Sequence, residues 1–128
     1  MSIARKLLEI KSLSQTICSI TKNETTNTQI KVLYFVDEYS SVSPQVLISK
    51  LGIVKSNLAL ITKNMIKNGL LISKKGFNDK RSIYYSITAK GKKMLDDYIS
   101  ELDKIFHEQD LELEYNMEII LKYLNKKV

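Results

Sequence analysis

Apolar residues change their spacing along this chain, and each change marks an element. From about Ser2 to Thr21, Ile3, Leu7, Ile10 and Ile17 recur at three- and four-residue steps with Ser14 between the last two, and Leu8 and Leu13 widen the stripe. That period predicts an amphipathic helix. The polar run from Thr21 to Thr28 ends it, and Asn27 or Thr28 suits the N-cap of a second helix from about Gln29 to Tyr39. There Ile30, Leu33 and Tyr34 are set against Asp37 and Glu38. Ser40 to Val42 form a short break with an extended residue or two. The next segment carries both helix signals: Ser43 suits an N-cap, Pro44 the first helical position, and Gly52 the left-handed residue that closes a helix. Leu47, Ile48 and Leu51 face inward. After a tight turn at Ile53 and Val54, a further helix from about Lys55 to Asn68 turns Leu58, Ile61 and Met65 inward and stops at Gly69. Two short helices joined by a glycine-containing turn make a helix-turn-helix unit.

Beyond Gly69 the period falls to two. Ile83, Tyr85 and Ile87 alternate with Ser82, Tyr84 and Ser86, and the β-prone runs Leu70–Lys75 and Ser82–Ile87 flank a loop with Gly76, Asn78 and Asp79. This predicts a β-hairpin. Lys74, Lys75, Lys80 and Arg81 gather near its tip, which suits a finger that touches something negative. Thr88 is placed to cap a long helix from about Ala89 to His107, rich in apolar residues from Met94 to Phe106. Asp110 can cap a last one carrying Leu113, Met117, Ile120, Leu121 and Leu124. Apolar surface of that extent, outside a compact helix-turn-helix, should be covered by another chain. The expected fold is mainly α with a small β-hairpin (α+β), in one domain.

Charge sharpens the picture. The 128 residues carry a net charge of +6 and a pI of about 9.3. From Lys50 to Lys93 there are eleven Lys or Arg against one acid, Asp79, whereas Asp96 to Glu118 hold nine acids against Lys104 alone. A lysine-rich surface produced by base composition would not avoid the last third of the chain. The concentrated excess is the footprint expected for nucleic acid. One cysteine excludes an internal disulfide and suits a reducing cytosol. No apolar run reaches the roughly 18 residues of a membrane span, and the N-terminus lacks the apolar core of a signal peptide. Cytoplasmic localisation is expected. With one histidine, no nucleophile–base pair, no metal cluster and no glycine-rich phosphate loop, the sequence argues against an enzyme, and no cofactor is expected.

Particular residues narrow the family. VLISKLGIVKSNLALITKNMIKNGLL, followed by Asp79-Lys80-Arg81 and then SITAKGKKML, resembles the multiple-antibiotic-resistance regulator (MarR) family. Its wing carries an acid-x-arginine pair, and its next helix opens with Thr-x-x-Gly, here Thr88 to Gly91. The resemblance runs residue by residue from Thr28 to Leu95 and covers the flanking helices by position and character. It implies a bacterial winged helix-turn-helix regulator, a repressor, acting as a homodimer on a near-palindromic operator. In that scheme residues 28–93 bind double-stranded DNA, and residues 2–21 and 94–127 of two subunits interlock. Two recognition helices then lie about 34 Å apart, one turn of duplex.

On this resemblance Ser56, Asn57, Leu60 and Asn64 face base edges in the major groove, where Asn can bond adenine and an apolar chain can meet a thymine methyl. No arginine stands in the helix, and Leu60 occupies a position where a larger polar or basic residue is common, which together favour an A·T-rich operator. Ser43, Gln45, Lys55 and Lys63 suit phosphates and fix register. Lys75, Lys80 and Arg81 supply the wing contact, with Arg81 in the minor groove and Asp79 as its orienting brace. A small-molecule effector of unknown identity fits the same resemblance. Tyr84, Tyr85, Tyr98, Tyr115 and Tyr123 have two readings, the walls of an aromatic ligand cleft or simple packing. Cys18 is expected to be a buried structural thiol rather than a peroxide sensor, and a metal site on His107, Glu108 and Asp110 is disfavoured. The rival function is a winged-helix protein-interaction module or antirepressor that binds no DNA, although such a protein has no need of the cationic middle.

Overall fold

The computed structural model describes residues 2–19, 27–106 and 110–128. Six helices and one hairpin follow in the order α1 (Ile3–Ser19), α2 (Asn27–Tyr39), α3 (Pro44–Leu51), α4 (Lys55–Lys67), β1 (Leu71–Lys75), β2 (Ile83–Ile87), α5 (Ala89–Ile105) and α6 (Leu111–Asn125). The expected α+β architecture is the one observed. Helix α2 already includes Asn27 and Thr28, so neither is its N-cap, and the residues ahead of them lie outside the described part. Its C-terminal end is closed by Ser40, whose left-handed φ of 66° breaks the helical path.

The start and stop signals around α3 act as their chemistry dictates. Ser43 accepts a hydrogen bond from the Val46 N–H at 3.4 Å, Pro44 opens the helix, and Gly52 (φ 65°) donates its N–H to the Ile48 carbonyl at 2.9 Å. Val42 is the single extended residue before it. It pairs with Tyr85 through two backbone bonds, of 3.0 and 2.8 Å, and so lies beside β2 on the edge opposite β1.

The core lies where α2, α3, α4 and α5 close on the base of the hairpin. Val32, Leu33, Val36, Val42, Leu47, Leu58, Met65, Leu70, Leu71, Tyr85, Leu95 and Tyr98 are buried there. Hairpin register pairs Leu71 with Ile87 and Lys75 with Ile83. Only its base is packed. Leu71 and Tyr85 are buried, whereas Ile83, on the same face but nearer the tip, is exposed. The alternation read from the sequence is therefore correct, but its outer end has no core to face.

Among the residues whose burial is described, α1 and α6 contribute none that is buried. Ile3, Leu7, Leu8, Ile10 and Leu13 of α1, and Leu113, Met117, Ile120 and Leu121 of α6, are all exposed in the isolated chain. At its C-terminal end α1 is tied back by the Tyr98 hydroxyl, which donates to the Cys18 carbonyl at 3.3 Å. Cys18 is half-buried rather than enclosed. Among the described residues no helix is long and apolar enough to cross a membrane.

Candidate nucleic-acid interface

Helix α4 divides cleanly into two sides. Leu58, Thr62 and Met65 are buried and Ile61 half-buried, whereas Lys55, Ser56, Asn57, Leu60, Lys63, Asn64 and Lys67 are exposed. Positions 56, 60, 63, 64 and 67 follow the three- and four-residue steps that line one helix face. Leu60 leaves 69% of its surface in water. Val54 occupies the N-cap position, and its side chain makes no hydrogen bond to the first N–H groups of α4.

Thr62 is the residue the periodicity reading passed over. Its hydroxyl donates to the Leu58 carbonyl at 2.9 Å and meets the Tyr85 hydroxyl at 3.3 Å. This buried pair fastens the inner side of α4 to β2 and so fixes the helix relative to the hairpin. The step from Leu58 to Thr62 is four residues, so the inward stripe could have included it. Threonine's polarity hid it.

In the hairpin loop, Arg81 donates its backbone N–H to Asp79 Oδ1 at 2.9 Å, and its Nε lies 3.5 Å from the same oxygen. The Arg81 side chain is 95% exposed. An ion pair this exposed contributes little to stability, so its effect is to orient a solvent-facing guanidinium. Lys75 and Lys80 are exposed on the same loop and its flank. Ser43 is half-buried and serves as the cap of α3, and Gln45 is exposed one residue beyond Pro44.

Not all of the cationic segment faces outward unopposed. Lys92 reaches Asp37 at 2.8 Å and Asp96 at 3.5 Å, and Lys93 reaches Asp97 at 2.8 Å. The hydrogen bond that Lys92 donates to Asp37 is the main cause raising the Lys92 pKa; desolvation, next in size, lowers it, and the charges of Asp37 and Asp96 raise it further. Lys90 donates to the Asn68 carbonyl at 2.9 Å, where a cation suits the C-terminal end of α4. Lys92 and Lys90 thus tie α5 to α2 and to the end of α4, while Lys93 is paired within α5. The unopposed positive surface is accordingly narrower than the sequence count implied, and it centres on α4 and the hairpin.

The tyrosine cleft is not assembled as a set. Tyr84 and Tyr85 are consecutive on β2 and point to opposite faces, Tyr85 and Tyr98 are in the core, and Tyr115 and Tyr123 are exposed on α6. Packing accounts for the two buried ones. Among the described residues no group of three or more His, Cys, Asp or Glu is placed to hold a metal ion. His107 and Glu108 lie outside the described residues.

A helix-turn-helix whose second helix shows a polar, cationic outer face, followed by a hairpin with an arginine at its tip, defines a winged helix protein. Residues 28–106 match the winged helix DNA-binding domain family, and the chain belongs to that family. Its fold is that of the MarR repressors. The structure of NadR in complex with 4-hydroxyphenylacetate is similar with a TM-score of 0.84 at 22% identity, covering 99% of this chain and 92% of that one. Apo MarR from E. coli gives 0.77 at 20% identity over 99% and 96% of the two chains. BpsR of Bordetella bronchiseptica, whose DNA binding is regulated by 6-hydroxynicotinic acid, gives 0.72 at 13% identity over 97% and 93%. No curated protein matches the sequence.

Proposed function

We propose that this protein is a MarR-type transcriptional repressor that binds double-stranded DNA as a homodimer at a near-palindromic, A·T-rich operator. One observation carries the reading. Lys90, Lys92 and Lys93 at the start of α5 are bonded to groups within the fold, whereas Lys55, Lys63, Lys75, Lys80 and Arg81 are held outward on α4 and the wing. Helix α4 enters the major groove, with Ser56, Asn57, Leu60 and Asn64 toward base edges. Lys55, Lys63, Ser43 and Gln45 hold phosphates, and Arg81, braced by Asp79, enters the minor groove. The exposed apolar surfaces of α1 and α6 are those a second subunit would cover, and the acids of α5 and α6 suit a body held away from the phosphates. NadR was solved with a small aromatic acid and BpsR responds to another. A small-molecule effector belongs to the same reading for this chain.

The test is a mobility-shift and anisotropy titration of the purified protein on DNA from its own upstream region, at several salt concentrations, with sedimentation to fix the oligomer. The expected result is a dimer whose affinity falls steeply with salt and exceeds that for scrambled DNA by about 10³ or more. A dimer that leaves duplex DNA unshifted at low salt would defeat the reading and favour the protein-interaction alternative.

A further inference from the structure

Phe77 lies in the wing loop and is 100% exposed, and no contact among the described residues accounts for it. Phe35, by contrast, packs against the core. The loop that carries Phe77 is closed by its own hydrogen bonds. Gly76 donates its N–H to the Ser82 carbonyl at 2.8 Å, Ser82 to the Asp79 carbonyl at 3.0 Å, and Arg81 to Asp79 Oδ1 at 2.9 Å. The bonded tip thus carries an exposed aromatic ring on the same loop as Lys80 and Arg81, with Lys75 at its flank. A protein groove that took the ring would have to be apolar and yet lined by acids. The minor groove offers both features at once. Phosphates rim it and attract the cations, and its base steps can be parted by an apolar side chain.

We infer that Phe77 is a minor-groove wedge, entering between stacked base pairs beside the Arg81 guanidinium and kinking the duplex where the wing lands. The inference rests on the DNA-binding reading above and adds a specificity-determining residue to it. Parting a step is easiest at pyrimidine–purine steps such as TA, so the protein selects such a step at the flank of its site without a hydrogen bond to either base.

The experiment uses the full chain and a duplex recovered by it from random-sequence DNA, with 2-aminopurine placed at successive flanking positions. Phe77→Ala should weaken binding about tenfold, within the range seen for loss of one ring–base contact. The slope of log K against log salt should not change, because the ring releases no counterion. Phe77→Leu keeps an apolar wedge and should retain most of the affinity. One flanking 2-aminopurine should brighten when the parent or Phe77→Leu binds, and stay dark with Phe77→Ala. Far-UV CD and thermal melts should be identical for the three proteins, since the side chain packs on nothing. Parental affinity in Phe77→Ala overturns the inference. So does a loss of affinity without an unstacked step, or with a slope changed by about 1, which would place the effect on a neighbouring cation. A parent that binds while Phe77 proves inert leaves the DNA-binding reading standing. A parent that recovers no duplex defeats that reading and this inference together.

Discussion

Replacing Gly91 with alanine should destabilise the protein, although helix propensity alone says the opposite. Gly91 is the third residue of α5, and in an open helix the change to alanine would add about 1 kcal/mol of stability. Here the added Cβ would collide with the Leu70 carbonyl oxygen and sit 2.9 Å from Ile87 Cγ1 and 3.2 Å from Leu33 Cδ2. The two side chains can yield, but the carbonyl cannot, because it accepts the Thr88 N–H at 3.1 Å. Relief requires the first turn of α5 to move off the hairpin base. Overpacking of this kind costs about 1–3 kcal/mol, and loosening the Thr88 bond adds about 1 kcal/mol. Set against the propensity gain, the net loss is about 2 kcal/mol. For a domain of this size that corresponds to a melting temperature lowered by roughly 8 °C. Urea unfolding followed by far-UV CD measures it, at matched protomer concentration because subunit association is linked to folding. A variant as stable as the parent, or more so, would show that α5 is not seated against Leu70 as described.

Three further outcomes test other links. Thr62→Val should cost more stability than the double variant Thr62→Val/Tyr85→Phe, because it alone strands a buried Tyr85 hydroxyl, at about 1–3 kcal/mol; equal or reversed costs in denaturant melts would remove the strut between α4 and β2. Lys92 has its pKa raised by Asp37, so its stabilising contribution is complete below the ordinary lysine value and is lost as pH rises through the raised one; Asp37→Asn should flatten that part of the alkaline stability profile in pH-dependent melts, and an unchanged profile would count against the pair. Arg81→Ala should weaken operator binding at least about tenfold and lower the salt slope by about 1 with the CD spectrum unchanged. Equal affinity for the two proteins at matched salt would take the wing out of the proposed function.

Local chemistry made much of this molecule legible in the sequence. Ser43, Pro44 and Gly52 bound α3 because each meets a backbone requirement of a helix end, and those requirements need no tertiary partner. Thr88 and Asp110 cap their helices for the same reason, accepting from Gly91 and Leu113. The inner and outer sides of α4 followed from a period of 3.6, and the hairpin from a period of 2. Asp79 and Arg81 are two residues apart, so their pairing in the loop was also within local reach.

Contacts between distant segments were not legible. Thr88 was expected to cap α5, yet its hydroxyl also donates to the Gly69 carbonyl at 2.6 Å, and Gly91 is small because Leu70 lies against it. The Thr88-to-Gly91 run, met first as a family mark, is thus a clamp between hairpin and helix. The pairing of Lys92 with Asp37 spans 55 residues, so a charge count along the chain credited to the outer surface lysines that the fold had already neutralised. Sequence by itself determined which backbone segments coil, turn and extend, because those choices are settled by neighbours a few residues away. Only the tertiary structure decided which polar groups were used up inside and which were left facing outward, because that depends on what the folded chain brings alongside them.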